Sequence, residues 1–158
     1  MASSDITAQH VGWLNDPQVV RYSNQRFVQH TLHSCQRYLA DFEGSADLYA
    51  SARLQGSDEA LGTLTAYRSL QHGTADIGIL MGERSHWGQG LGLQAFTLLA
   101  DWLAAQPGMR KLTCGMLVCN HGMLALAQRA AFAREAVRVG QELVDGQATD
   151  LVYFARFC

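Results

Sequence analysis

Apolar and polar residues follow one another along this chain with two periods, one typical of helices and one typical of strands. After Thr31, a residue that caps helices well, the apolar residues Leu32, Cys35, Leu39 and Phe42 fall on one helical face. Apolar runs that alternate with polar residues predict strands instead. The predicted helices cover residues 17–22, 32–42, 93–105 and 123–131, and the predicted strands cover residues 48–54, 61–68, 76–81, 111–119, 135–144 and 149–157.

Turn residues separate these elements and set their order. Asp16 and Pro17 predict the N-cap and the first position of the first helix. The segment 56–59 and the pair Asp145-Gly146 each predict a turn between two strands. The resulting order, α-α-β-β-β-α-β-α-β-β, predicts an α/β (α+β) fold in which residues 1–158 form a single domain with helices packed on a mixed sheet.

The run Trp87-Gly88-Gln89-Gly90-Leu91-Gly92 lies between a predicted strand and a long predicted helix. Glycines have no Cβ, so this backbone can turn tightly and come close to a ligand. A helix that starts directly after the run presents unpaired N–H groups and the positive end of its dipole. The pattern therefore predicts a site for the pyrophosphate of a cofactor.

Composition excludes several classes of protein. Apolar residues make up 48% of the chain and charged residues 16%, which is not the composition of a disordered chain. The net charge is −2 without a basic stripe, so we expect no nucleic-acid partner. Without a long apolar run or a signal pattern, we expect no membrane partner. The four cysteines lack C-x-x-C spacing, which favours structural thiols in a cytoplasmic protein.

Two other interpretations of the glycine run compete with a cofactor site. Residues 90–95 satisfy the G-x-G-x-x-A pattern of dinucleotide-binding proteins. In that fold, however, the glycines lie in the first turn after the strand, whereas here residues 82–87 intervene. The chain also shows only one β-α-β unit, so a Rossmann fold is disfavoured. A glycine-rich helix start without any ligand stays open as the second interpretation.

Taken together, the motifs resemble those of the GNAT family of N-acetyltransferases, in the branch similar to the ribosomal-protein alanine and serine acetyltransferases. Residues 87–92 match the family pattern Q/R-x-x-G-x-G/A, with Trp87 where Gln or Arg is usual. Residues 13–17 read W-L-N-D-P, similar to the opening of that branch. Asn120 begins the second cofactor helix, and Asp145-Gly146 resembles the closing hairpin.

The resemblance implies a mostly antiparallel sheet with helices on both faces, acetyl-CoA as cosubstrate without a metal, and a primary amine as acceptor. The strand before the glycine run is expected to splay from its neighbour, so that its main chain contacts the pantetheine and the thioester carbonyl. Asn120 is expected to contact the pantetheine arm, to cap its helix, or both. The expected cofactor-binding residues are Leu80, Gly82, Trp87, Gly88, Gln89, Gly90, Leu91, Gly92 and Asn120.

The catalytic groups are less complete than the cofactor motif. An amine attacks only when neutral, so a base should take its proton. Asp76 aligns with the glutamate base of the histone-acetylating members, and its alternative role is a solvated charge at the start of a strand. Ala127 and Met123 stand where a tyrosine or a serine acid is usual. The thiolate then leaves without an enzymic acid, or it is protonated by one of Tyr153, Tyr67 and Tyr22.

The acceptor is expected between the segment 23–30 and the closing hairpin. Tyr22 and Arg26 are predicted to bind it, because such donors suit phosphate, carboxylate or hydroxyl groups, although solvated loop arginines would look the same. Residues 13–39 loosely resemble enzymes that acetylate nucleotide-linked amino sugars. The leading hypothesis is acetyl transfer to a small amine, such as a nucleotide-linked amino sugar. Acetylation of a protein N-terminus and a non-catalytic acyl-CoA binder are the alternatives, and a homodimer stays open.

Overall fold

A computed structural model describes residues 1–158, apart from the side chain of Ser3. Its helices are α1 (Ala8–Asn15), α2 (Leu32–Ala40), α3 (Leu91–Ala104) and α4 (His121–Arg129). Its strands are β1 (Leu48–Arg53), β2 (Ala60–Ser69), β3 (Thr74–Met81), β4 (Lys111–Leu117), β5 (Ala133–Val144) and β6 (Gln147–Phe157). Short 3-10 helices cover Ser3–Asp5, Asn24–Phe27 and Arg84–His86.

The six strands form one sheet in the order β1-β2-β3-β4-β6-β5. Every neighbouring pair is antiparallel except β3 and β4, which are parallel. That parallel pair is short, because Thr74 to Asp76 pair with Lys111 to Thr113 and the two strands then diverge. The sheet therefore opens into a gap beyond Asp76, between the last residues of β3 and β4.

Helices cover both faces of the sheet. On one face, α3 buries Phe96, Ala100 and Leu103, which recur at helical spacing, against Ile77 and Leu112 of the strands. Burying each of the larger side chains contributes roughly 1.5–3 kcal/mol, so this layer is the main source of stability. On the other face, α1 and α2 pack over β1 around a second buried cluster. The predicted fold class, a mostly antiparallel sheet between helices, is confirmed.

The first predicted helix, residues 17–22, is wrong. The helix lies earlier, at Ala8–Asn15, where the Thr7 hydroxyl accepts the His10 N–H at 3.3 Å and caps it. Pro17 holds the preceding Asp16 in an extended conformation (φ −81°, ψ 114°), so the chain leaves the helix there. Asp16 therefore ends α1 instead of starting a helix.

The other predicted elements are confirmed with shifted ends. Helix α3 starts at Leu91, two residues earlier than predicted, because Gly90 forms its N-cap in a left-handed conformation (φ 80°). Cys35 and Cys114 are buried, and all four cysteines are free thiols. No helix among the described residues is long and apolar enough to span a membrane.

Candidate functional site

The gap between β3 and β4 opens into a cleft of about 680 Å³. One wall is the segment 77–81 of β3, and the opposite wall is α4 with Gly115 and Met116 of β4. The glycine run closes one end at the start of α3. The cleft thus joins three features that the sequence predicted separately: the diverging strand, the glycine run and the second helix.

The glycine run has the geometry of an anion cradle. Gly88 and Gly90 both have left-handed φ angles, 77° and 80°, and a Cβ added at either would meet no atom within 4 Å. No side chain caps α3, so its first N–H groups remain available to a ligand. Their partial positive charge and the open space before them fit a pyrophosphate.

Two polar side chains of the run hold its shape. Trp87 donates its indole N–H to the Met81 carbonyl oxygen at 2.9 Å, and Gln89 donates to the Ser85 carbonyl oxygen at 3.1 Å. The Arg84 guanidinium lies 5.8 Å from the centre of the Trp87 ring. Because the Trp87 N–H is occupied in this way, its indole ties the glycine run to the end of β3.

The N-terminal motif fastens the same region from outside the cleft. Trp13 packs so closely on Gly82 that a Cβ there would overlap the indole ring. Asp16 accepts a hydrogen bond from Arg84 at 3.3 Å, just before the glycine run. The W-L-N-D-P segment thereby supports the cleft without lining its phosphate end.

Of the two residues at the end of β3 that were predicted to contact the cofactor, Leu80 lines the cleft and Gly82 does not, and strand pairing decides which main-chain groups face the gap. Gly82 donates its N–H to the Leu61 carbonyl oxygen at 2.9 Å, and the Leu80 carbonyl oxygen lies against Gly62. Both groups therefore face β2. Since main-chain groups of successive residues in a strand point to opposite edges, those of Ile79 and Met81 face the gap. Alternation along the strand was the signal that could have found Ile79.

Asn120 lies where the sequence predicted it, in the wall of the cleft. Its Oδ1 accepts the Met123 N–H at 3.1 Å, which makes it the N-cap of α4. Its Nδ2 makes no hydrogen bond among the described residues. Capping and ligand contact are therefore compatible, because they use different atoms of one amide.

The two positions where a general acid is usual in the family carry no acidic or hydroxyl side chain. Ala127 is fully buried in the core, and Met123 lines the cleft with a thioether. Of the three tyrosines considered instead, Tyr22 lines the cleft, Tyr67 lines a neighbouring cavity, and Tyr153 lines neither.

That neighbouring cavity, of about 360 Å³, lies between α1, α2 and the sheet. It shares Ser23 and the segment 78–80 with the cleft, so the two spaces meet at the diverging strand. No Asp, Glu, Lys or Arg lines it. Its polar lining consists of hydroxyl, amide, thiol and imidazole groups: His10, Ser23, Gln25, His30, Ser34, Cys35, Tyr38, Tyr49, Thr63, Thr65 and Tyr67.

Two histidines of this cavity have unused hydrogen-bonding capacity. His10 is 2% exposed, and its Nε2 lies 3.2 Å from the Tyr49 hydroxyl, while its Nδ1 has no partner. The His30 Nε2 is also buried without a partner. Burial lowers the pKa of His10, and neighbouring His30 lowers it further, so His10 is neutral at pH 7. Sequence reasoning missed both histidines.

The loop that carries Tyr22 and Arg26 lines this cavity through Ser23, Gln25, Val28 and His30, and neither Tyr22 nor Arg26 is part of the lining. Arg26 donates to the carbonyl oxygens of Ser23 (2.8 Å) and Leu143 (3.1 Å), and its guanidinium lies 3.9 Å from Glu142. These contacts join the loop to the β5–β6 hairpin. Asn15 holds the far end of the loop, because it donates to the His30 carbonyl oxygen at 2.9 Å and accepts the His30 N–H at 2.8 Å.

Asp76 lies at the last residue pair before the strands diverge. Its carboxylate accepts the Thr113 hydroxyl at 2.7 Å. Desolvation by the surrounding strands raises the pKa of Asp76, and the Thr113 hydrogen bond opposes that rise. Asp76 lines neither cavity, so an acceptor's proton reaches it only through water. Its catalytic role stays a prediction.

The strand gap and the anion cradle beside it are features of a class of protein that binds a phosphate-bearing coenzyme. The family model described as "Acetyltransferase (GNAT) domain" matches residues 1–133. The chain therefore belongs to the GNAT family and is an acetyl-CoA-dependent N-acetyltransferase that transfers acetyl groups to amines. No curated protein sequence matches it significantly.

Solved structures share the whole fold at low sequence identity. Spermidine N-acetyltransferase from Vibrio cholerae, in complex with CoA and spermine, has a TM-score of 0.87 at 14% identity, covering 99% of this chain and 92% of that one. Ribosomal L7/L12 α-N-protein acetyltransferase, in complex with CoA, has a TM-score of 0.84 at 18% identity, covering 99% and 90%. Ribosomal-protein-alanine N-acetyltransferase from Brucella melitensis has a TM-score of 0.80 at 15% identity, covering 100% and 97%.

Proposed function

We propose that this enzyme acetylates the primary amine of a small, polyhydroxylated molecule, an amino sugar, and that the acceptor binds in the cavity of about 360 Å³. The observation that carries the proposal is the lining of that cavity. It offers many uncharged groups that both donate and accept hydrogen bonds, and it offers no carboxylate. Sugar hydroxyls have the same dual capacity, and tyrosine rings supply apolar surface for the faces of a sugar.

The charge of the cavity argues against the alternative acceptors. A polyamine carries several positive charges, and burying them without a carboxylate partner would be costly. A protein N-terminus requires an open groove for the following residues, whereas this cavity is bounded by α1, α2 and the loop after α1. Its size suits a compact ligand.

Phosphates of a nucleotide-linked sugar would meet the loop at the mouth of the cavity. Arg26 is already committed to the β5–β6 hairpin. Arg21, in contrast, lies 3.9 Å from Asp145 in an exposed pair, and such pairs contribute little. Arg21 is therefore the cation that can turn to a phosphate at small cost.

The chemistry follows from where the two cavities meet. Acetyl-CoA supplies the activated acetyl group, with its pyrophosphate on the N–H groups of the glycine run. Main-chain N–H groups of Ile79 or Met81 face the gap, where one can polarise the thioester carbonyl. Tyr22 is the tyrosine placed in the cleft to protonate the departing thiolate. Water between the acceptor cavity and Asp76, or the neutral imidazole of His10, takes the amine proton.

A panel assay of CoA release tests the proposal. The acceptors are hexosamines, their 1-phosphates, nucleotide-linked amino sugars, spermidine and short peptides with a free N-terminus. We expect kcat/KM for at least one amino sugar to exceed that for spermidine and for every peptide by at least about 10-fold, the cost of one poorly matched group. Preference for spermidine or a peptide would refute the acceptor class. CoA binding without turnover of any amine would refute catalysis.

A further inference from the structure

One strong cation faces the cofactor cleft, the guanidinium of Arg129. Among the described residues that line the cleft there is no Asp, Glu or Lys, and the only other basic side chain is His86. Arg129 is exposed and takes part in no ion pair or hydrogen bond among the described residues. Arg84, close to the glycine run, is instead paired with Asp16 at 3.3 Å. A polyanionic ligand in this cleft would therefore meet one uncommitted guanidinium.

Arg129 is the last member of a stripe along α4 that faces the cleft. Gly122, Ala125, Leu126 and Arg129 are spaced i, i+3, i+4 and i+7, which places them on one side of the helix. Gly122 and Ala125 are small, so a ligand can lie close to the helix there. At the far end of the stripe, Arg129 projects beyond them into the same space.

The contacts of Leu126 fix which end of the cleft Arg129 occupies. Leu126 Cδ1 lies 3.7 Å from the position that a Cβ on Gly92 would take, so this part of α4 is opposite the start of α3. Arg129 is one turn further along, on the side away from Asn120 and the diverging strands. It therefore stands beyond the anion cradle, at the opposite end from the thioester.

Coenzyme A has three parts in a fixed order: the pantetheine thioester, the pyrophosphate, and an adenosine that carries a 3′-phosphate. With the thioester at the strand gap and the pyrophosphate at the glycine run, the adenosine end extends past the start of α3. We propose that Arg129 binds the 3′-phosphate, and that this contact makes the enzyme prefer CoA over dephospho-CoA. The planar guanidinium suits bidentate binding of a phosphate. This proposal rests on the use of acetyl-CoA, not on the acceptor.

Calorimetric titration without any acceptor tests it. The ligands are CoA and dephospho-CoA, which differ only in the 3′-phosphate, and the proteins are wild type, Arg129→Gln and Arg129→Lys at one fixed ionic strength. We expect Arg129→Gln to raise the Kd for CoA by about 10- to 100-fold, the range for a charge-assisted contact, and to leave the Kd for dephospho-CoA within about twofold. The Kd of Arg129→Lys for CoA should lie between those of wild type and Arg129→Gln, because an ammonium keeps the positive charge but cannot form the two parallel hydrogen bonds of a guanidinium.

The matched control is Arg37→Gln, which removes an equally exposed arginine from α2, outside both cavities. It should change neither Kd. An equal weakening of both ligands by Arg129→Gln would overturn the proposal, since the contact would then be to a part that they share. Unchanged binding of CoA would overturn it as well.

Arg129 also lies in the last turn of α4, where its charge complements the helix dipole. Thermal unfolding of the free variants measures that structural role separately. A lower Tm with an unchanged ratio of the two Kd values would assign Arg129 to helix stability alone and overturn the proposal. Because no acceptor is present, a failure of the amino-sugar hypothesis cannot produce any of these results.

Discussion

Replacing Gly90 by valine should separate cofactor binding from folding. Gly90 has φ 80° and lines the cleft, and a Cβ there would meet no protein atom within 4 Å. The added Cβ therefore contacts no protein atom, and the side chain enters the space expected for the pyrophosphate. The cost to folding is only the left-handed conformation, about 1–2 kcal/mol for a residue with a Cβ. For a chain of this length, that lowers Tm by about 2–8 °C.

The cost to binding is larger. If the valine methyls keep the pyrophosphate from two N–H groups, two charge-assisted hydrogen bonds are lost at about 1.5–3 kcal/mol each. The sum, about 3–6 kcal/mol, corresponds to a rise of about 10²- to 10⁴-fold in the Kd for CoA. Acetyl-CoA should raise the Tm of wild type, because it binds the folded state, and should leave the Tm of Gly90→Val unchanged.

Gly56→Val provides the matched control. Gly56 also has a left-handed φ, 92°, and open space at its Cβ, but it lies in the turn between β1 and β2 and lines neither cavity. It should lose a similar amount of stability and keep the full Tm rise with acetyl-CoA. A folded Gly90→Val protein that binds CoA within about threefold of wild type would refute the assignment of the anion cradle.

Two further predictions concern protons. Asp76→Asn should lower turnover about 10²-fold near neutrality without weakening CoA binding. The loss of turnover should shrink as pH rises, because more of the acceptor amine is already neutral. If the pH–rate profiles of wild type and Asp76→Asn coincide, Asp76 is a structural charge and not the base. The pKa of His10 is lower in the folded state than in the unfolded state, so the unfolded state binds the proton more tightly. The folded state therefore has its full stability above about pH 6.5, the unfolded pKa, and loses stability as the pH falls below that value. Urea unfolding between pH 5 and 8 should show that loss, less steeply in His10→Gln, whereas His33→Gln, at an exposed residue of α2, should match wild type.

The cofactor side of the enzyme could be predicted from the sequence because its signals are local. The glycines of the run follow one another within six residues, and Asn120 precedes its helix directly. Their order along the chain was enough to indicate the family. The sequence could not show which main-chain groups of Leu80 and Gly82 face the cleft, because the edge of the strand that a main-chain group faces depends on pairing with β2.

The cavity proposed for the acceptor could not be predicted, because the residues that line it come together only through tertiary structure. His10 and Tyr49 contact each other across 39 residues of sequence, and the hydroxyls of Tyr38 and Tyr67 lie 2.5 Å apart across 29. No spacing rule connects such residues. Arg26 is a different case: its charge suggested a ligand, but in the structure it donates to the β5–β6 hairpin, so its binding role stays a prediction.

The amide of Asn15 has a consequence for how this enzyme can diverge. Its two hydrogen bonds to His30 bring together the ends of the loop formed by residues 16–29. A loop whose ends are held in this way can change its sequence, and even its length, without altering the elements on either side. Since one edge of the cavity proposed for the acceptor belongs to this loop, we expect substitutions within the loop to change the acceptor without changing the cofactor cleft.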